Sequence, residues 1–233
     1  MRRGLVESGF LVSLVQVAAV VAIGVPLLAW LAQDSLIFLP PPPQAEARRA
    51  AAGAQELFRE AQDGTRLHAW HVKGASGAPL VLYFGGNAED VSWMVGEAQR
   101  RAPGSAWLLV DYRGYGSSGG SPSEKALVAD ALAWYDLAAR ELGAREIFVF
   151  GRSLGSGVAV QLAAERQVAG VVLVAPYDSM VEIGRHHYPF LPVGWLLRHR
   201  FESATRAPAI AAPLLCLVAE RDEIIPAERS RRL

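Results

Sequence analysis

The sequence of 233 residues contains one cysteine and no excess of either charge. With Cys216 alone, no disulfide can form within the chain, and its apolar neighbours predict a buried structural thiol. The 23 basic and 23 acidic residues cancel, which argues against a nucleic-acid partner. Metal-ligand spacing is also lacking, because His186 and His187 are adjacent and His68 and His71 would face opposite sides of a strand. We therefore expect neither a metal nor a cofactor.

The longest apolar run, residues 11–32, carries no charge. As a helix it would be about 33 Å long, enough to cross the hydrocarbon core of a membrane. We predict an uncleaved transmembrane anchor, with a cleaved signal peptide and a buried helix as the alternatives. Arg2 and Arg3 precede the run and Asp34 follows it, which places residues 1–10 in the cytoplasm and the main domain across the membrane. Residues 33–54 read as a Pro/Ala-rich linker.

The remaining chain, residues 55–233, alternates strand and helix patterns. Two runs around an Asp63-Gly64 turn predict an antiparallel hairpin, with His68 and His71 at its surface or edge. Helices are expected over 89–101 and after residue 121. Five short apolar runs predict buried strands: 79–84, 107–110, 146–150, 168–174 and 213–218. This alternation predicts an α/β fold with a doubly wound, mostly parallel sheet, and the apolar, proline-broken stretch 177–207 reads as a lid-like insertion or as ordinary core.

The sequence Gly151-Arg152-Ser153-Leu154-Gly155 lies between a predicted strand and a predicted helix. Glycines two before and two after a serine permit a very tight turn, which lifts the Ser153 hydroxyl clear of the sheet. The following helix directs its N-terminal N–H groups at the same point, so the Leu154 N–H can stabilise an oxyanion. The alternative is a glycine-rich turn between strand and helix in which the serine has no catalytic role.

Other candidate residues follow strands of the same sheet, and ligands bind such sheets at the carboxyl ends of their strands. Gly85 and Gly86 allow close backbone approach after the strand 79–84, as a second oxyanion donor requires. Asp222 follows the last strand, where a triad carboxylate belongs in chain order after the serine. Asp178, past the preceding strand, is the second choice.

Gly114, Gly116 and Gly119 match the spacing of a dinucleotide-binding loop. The match is poor, because the third glycine should lie within a helix, whereas Ser121 and Pro122 begin a new helix with a capping pattern. We therefore do not expect nucleotide binding.

Four segments together resemble the α/β-hydrolase superfamily, in particular its single-span, membrane-anchored serine hydrolases: 84–88, 111–122, 151–155 and 221–226. The resemblance implies that Ser153 is the nucleophile and Asp222 the acid of a triad. It also implies an oxyanion hole from the backbone N–H groups of Leu154 and Asn87. Family members usually have His-Gly-Asn where this chain has Gly85-Gly86-Asn87, a change of little consequence for a backbone donor.

The catalytic histidine of that family follows the acid, after one more strand, whereas all five histidines here precede Asp222. We therefore predict that the chain is truncated, with the last strand and helix missing. We also predict that its activity is absent or impaired unless His186 or His187 reaches Ser153 from the lid. We predict a membrane-anchored hydrolase of an ester, thioester or amide, with a lipid-like acyl substrate. A non-catalytic, membrane-tethered binding module on the same fold is the alternative.

Overall fold

A computed structural model describes the backbone of residues 2–42 and 44–233, and the side chains of these residues except 2–12 and 50. Helix α1, Arg2–Ile37, contains one segment, Ser13–Ile37, that is long and apolar enough to cross a membrane. The helix continues five residues beyond the predicted span, so the first part of the predicted linker is helical. The side chains of the predicted cytoplasmic segment, residues 1–10, lie outside the described part.

The rest of the chain forms a seven-stranded sheet within the described residues, in the order β1-β2-β4-β3-β5-β6-β7. The strands are β1 Gln55–Glu60, β2 Arg66–Val72, β3 Leu80–Phe84, β4 Ala106–Asp111, β5 Ile147–Arg152, β6 Gly170–Val174 and β7 Leu214–Leu217. β1 and β2 form the predicted hairpin, and β2 is antiparallel to β4. The strands β4, β3, β5, β6 and β7 are parallel to one another. The mostly parallel sheet is confirmed.

Helices cover the sheet and surround the carboxyl ends of its strands. They are α2 Ala45–Ala50, α3 Trp93–Arg101, α4 Glu124–Arg140, α5 Leu154–Glu165, α6 Met180–His187, α7 Val193–Leu196, α8 Ser203–Arg206 and α9 Ala227–Arg231, with short 3-10 turns at Ala51–Gly53 and Ala207–Ala209. Alternate residues of the strands enter two apolar clusters, as the two-residue period of a strand requires. Leu82 and Leu108 join the larger cluster, with α4 and α5, whereas Tyr83 and Leu109 join the smaller, with α3.

The prediction that His68 and His71 lie at the surface or edge is wrong, because both side chains are buried. Every residue of β2 after Arg66 is buried, so the side chains of this strand are covered on both faces of the sheet. The His68 Nδ1 atom has a polar partner in Asp111 Oδ2 at 2.8 Å. Within the described residues, the His68 Nε2 and His71 Nδ1 atoms have no hydrogen-bond partner, although Glu56 Oε2 lies 3.2 Å from His68 Nε2.

Two helix starts and one thiol also differ from the prediction. The helix expected over 89–101 begins at Trp93, because the preceding residues form a loop, and α4 is capped by Ser123 rather than Ser121. The Ser123 hydroxyl accepts a hydrogen bond from the Ala126 N–H at 3.2 Å. Cys216 is half-buried rather than buried, since β7 lies at one edge of the sheet.

Candidate active site

The turn between β5 and α5 holds Ser153 in a backbone conformation that residues other than glycine rarely adopt, with φ 50° and ψ −118°. The space around it admits only glycine at two positions. A Cβ atom at Gly151 would lie 2.7 Å from the Cβ of Ala159, and one at Gly155 would lie 2.6 Å from the carbonyl oxygen of Gly85. The backbone conformation of Ser153 costs on the order of 1–3 kcal/mol and persists only where the surrounding structure enforces it.

The Ser153 side chain is half-buried and faces the loop that follows β3. The Ser153 N–H donates to the Val174 carbonyl at 2.9 Å, which ties the turn to β6. A Cβ atom on Gly86 would lie only 3.6 Å from the Cβ of Ser153, so this loop passes within contact distance. Among the described residues, neither the Leu154 nor the Asn87 backbone N–H has an acceptor. Both remain available to a ligand.

Glu89 holds that loop in place through hydrogen bonds, a role that was not predicted from the sequence. Its side chain is 8% exposed; Oε2 accepts from the Gly86 N–H and Oε1 from the Tyr83 hydroxyl, both at 2.6 Å. The Tyr112 hydroxyl donates to the Gly85 carbonyl at 2.8 Å. Burial, followed by the nearby carboxylate charge, raises the pKa of Tyr83, which keeps it a donor. An acid three residues after a glycine turn was the available signal, since such spacing lets a carboxylate accept a turn N–H.

The Asn87 side chain connects the same loop to the end of α1. Its Nδ2 donates to the Ile37 carbonyl at 2.7 Å, and its Oδ1 accepts from the Leu39 N–H at 2.9 Å and from the Tyr115 hydroxyl at 2.8 Å. The predicted linker is therefore attached to the loop that carries a predicted oxyanion donor.

Asp222 lies in a cleft of about 420 Å³ that Ser153 also lines. Its Oδ1 atom accepts hydrogen bonds from the backbone N–H groups of Ile224 and Ile225, both at 2.8 Å. These bonds hold the carboxylate at the carboxyl edge of the sheet, on the same side as Ser153.

Asp178, the second choice, has other partners. Its Oδ2 atom accepts from Arg229 Nη1 at 3.1 Å, and its Oδ1 atom accepts from the Ser179 N–H at 2.8 Å. Burial raises the pKa of Asp178 despite these bonds. This carboxylate does not line the cleft shared by Ser153 and Asp222, and it forms an ion pair with Arg229 instead.

No histidine is hydrogen-bonded to Ser153 or Asp222 within the described residues. His187, on α6, lines an apolar cavity together with Ser153, and its Nε2 atom lies 2.9 Å from the Ile224 carbonyl oxygen. His199 instead lies 2.8 Å from Asp34 Oδ1.

The cavity beside Ser153 has a volume of about 620 Å³ and an apolar lining. Its walls come from α1, from the Ser153 turn and from the segment that contains α6 and α7. The apolar residues that line it include Leu36, Ile37, Met180, Ile183, Leu191, Val193, Leu196 and Leu197. Because Ser153 lies in both the cavity and the cleft, its hydroxyl is located where an apolar ligand and a polar group can meet.

A family model described as serine aminopeptidase, S33, matches residues 79–204. An uncharacterized protein of Mycobacterium tuberculosis is 39% identical over 226 residues, which cover 94% of this chain and 80% of that protein. Lysophosphatidylserine lipase ABHD12 of Danio rerio is 30% identical over 202 residues, which cover 76% of this chain and 52% of that protein. The chain thus spans about half the length of that lipase.

Solved structures share the fold. The esterase Pf2001 of Pyrococcus furiosus superposes with a TM-score of 0.64 at 17% identity, over 83% of this chain and 82% of that one. An α-β hydrolase from Vibrio vulnificus gives a TM-score of 0.67 at 22% identity, over 82% of this chain and 74% of that one. With the family match over more than half of the chain, this protein belongs to the serine aminopeptidase S33 family of α/β hydrolases.

Proposed function

We propose that this protein is a membrane-anchored serine hydrolase that acts through an acyl-enzyme on Ser153. The observation that carries the proposal is the Ser153 turn, in which the serine backbone is strained and the serine lines an apolar cavity. The Ser153 Oγ atom attacks a carbonyl carbon, and the N–H groups of Leu154 and Asn87 stabilise the oxyanion. A base takes the proton of the Ser153 hydroxyl and gives it to the leaving group as the bond to the carbonyl carbon breaks. Water then attacks the acyl-enzyme, which releases the acid and restores the Ser153 hydroxyl.

The substrate that fits best is a single-chain lipid with an ester, thioester or amide bond. The cavity volume lies within the range of about 300–1,000 Å³ that ligand sites occupy, and its lining suits one hydrocarbon chain. The name of the ABHD12 relative, a lysophosphatidylserine lipase, supports the same class. The apolar helix α1 supplies the proposed anchor, with residues 1–10 in the cytoplasm and the domain across the membrane.

Turnover requires a base that accepts the Ser153 proton, and removal of a triad histidine costs roughly 10⁴- to 10⁶-fold in rate. Because the described residues place no imidazole on Ser153, we propose that the 233-residue chain turns over slowly or not at all. Asp222 is the proposed acid, and the cleft between it and Ser153 is large enough for an imidazole ring. His187 is the histidine that lines the Ser153 cavity, so it is the one to test as a lid-borne base.

Labelling with a fluorophosphonate tests this proposal, because the probe reacts covalently with an activated serine. The full chain in detergent micelles would be labelled with and without added imidazole, beside Ser153→Ala and Asp222→Asn. We expect weak labelling that imidazole increases, that Ser153→Ala abolishes and that Asp222→Asn reduces.

His187→Ala, with the adjacent His186→Ala as matched control, identifies a histidine supplied by the lid. Loss of labelling in His187→Ala alone would assign the base to His187. Undiminished labelling of Ser153→Ala would contradict Ser153 as nucleophile. Silence of the intact chain even with imidazole would favour the alternative function, a membrane-tethered binding module that holds a lipid chain without cleaving it.

A further inference from the structure

One stripe of helix α1 forms a wall of the cavity beside Ser153. Ala29, Gln33, Leu36 and Ile37 line the cavity, and their spacing of three and four residues places them on one side of the helix. On that side Gln33 is 5% exposed and Leu36 64%, whereas Leu28, on another side, is 66% exposed and does not line the cavity. The same helix therefore presents one surface to the surroundings and another to the cavity.

Polar contacts hold the end of α1 against the lid. The Gln33 Nε2 atom donates to the Leu196 carbonyl at 3.2 Å, and Gln33 Oε1 accepts from the Arg198 N–H at 2.7 Å. Asp34 Oδ1 lies 2.9 Å from Arg198 Nη2 and 2.8 Å from His199 Nε2. Gln33 and Asp34 directly follow the apolar run 11–32. α7 is thereby held at the depth where an inserted helix would leave the hydrocarbon core.

Three aromatic side chains of the lid extend into the surroundings, and one of them, Trp195, lies on α7. Trp195 is 95% exposed, Phe190 73% and Tyr188 52%; Trp195 directly precedes the residue whose carbonyl accepts from α1. Arg198 places its guanidinium carbon 5.0 Å from the ring centre of Trp30. Exposed tryptophan and tyrosine rings are typical of the membrane–water interface, and an arginine there can keep its charged head in water while its stem lies along apolar surface.

We propose that the lid residues Tyr188, Phe190 and Trp195 insert into the membrane leaflet around the end of α1. The cavity then takes the acyl chain of a membrane lipid sideways from that leaflet, between α1 and the lid. Helix α1 is thus both the anchor and a wall of the substrate site. This inference rests on the proposed function only for the chemistry at Ser153, and both of its tests are independent of turnover.

Lid insertion can be measured with a fluorophore, because the chain has one native cysteine to remove. In a Cys216→Ser background, Phe190→Cys would carry an environment-sensitive nitrobenzoxadiazole group, and the full chain would be placed in phosphatidylcholine vesicles that contain doxyl-labelled lipid. Glu141→Cys is the control, since Glu141 is exposed at the end of α4 that leads to the start of β5, away from the Ser153 edge. We expect lipid quenching and a blue-shifted emission at position 190 but not at 141. Equal quenching at both positions, or none at 190, would overturn insertion.

Entry of the acyl chain can be followed with a photoreactive lysophosphatidylcholine that carries a diazirine on its chain, incorporated into the same vesicles. Ala29→Phe narrows the cavity from the α1 side, whereas Leu28→Phe adds the same ring on an exposed side of the helix. We expect cross-links on the lid segment 180–197 that Ala29→Phe loses and Leu28→Phe keeps. Cross-links unaffected by Ala29→Phe, or absent from this segment, would overturn the cavity route. Fluorophosphonate labelling of Ser153 in the same samples would show separately whether the proposed chemistry holds.

Discussion

Replacing Gly155 with alanine tests the packing that shapes the Ser153 turn. A Cβ atom there would lie 2.6 Å from the carbonyl oxygen of Gly85 and nearer still to that of Phe84. Both obstacles are backbone atoms at the end of β3, so no side chain can rotate away to make room. The β5–α5 turn and the β3 loop would have to separate, and this movement would also displace the two candidate oxyanion donors.

Overpacking of this kind costs about 1–3 kcal/mol, and the backbone contacts favour the upper end of that range. For a chain of this size each kcal/mol lowers Tm by about 2–4 °C, so we expect Gly155→Ala to melt about 6–12 °C below the wild type. The assay is thermal unfolding of the full chain in detergent micelles, followed by tryptophan fluorescence.

The matched control is Gly104→Ala, because a Cβ atom at Gly104 meets no heavy atom within 4 Å and its φ is not positive. We expect its Tm to stay close to that of the wild type. Equal melting temperatures for Gly155→Ala and Gly104→Ala would refute the argument that the turn requires glycine for reasons of space.

Three further predictions concern ionisable side chains. Arg113→Met should lower the unfolding free energy by about 3–5 kcal/mol, because it leaves the buried Asp130 without its two hydrogen bonds from Arg113, of 2.6 and 2.8 Å. Urea unfolding measures this loss, and adding Asp130→Leu to the same chain should recover part of it. An unchanged urea midpoint for Arg113→Met would contradict the prediction. The hydrogen bond from Arg113 lowers the pKa of Asp63 to about 2, so the stability that Asp63 contributes is present above about pH 4 and lost as pH falls towards 2. Asp63→Asn should flatten Tm against pH in that window, and parallel curves would contradict this. Burial raises the pKa of Cys216, so its alkylation by iodoacetamide at pH 8 should be slower than that of glutathione; an equal rate would contradict this.

Local patterns were sufficient to predict the sheet and the Ser153 turn. Apolar runs of four to six residues separated by helical patterns specify buried parallel strands, because both faces of such strands are covered. The glycines at 151 and 155 are informative because a tight turn excludes side chains there, and the distances around both positions agree. The prediction for His68 was wrong, since its hydrogen-bond partner, Asp111, is 43 residues away.

The fold class, the apolar helix and the position of Ser153 were all predictable from the amino-acid sequence, because each follows from periodicity or from the steric needs of a few consecutive residues. Only the tertiary structure showed that α1 lines the cavity beside Ser153. Gln33 meets Leu196 across 163 positions and Asn87 meets Ile37 across 50. Hydrogen bonds over such separations leave no local pattern, because ordinary polar residues acquire partners only when the packed elements bring them together.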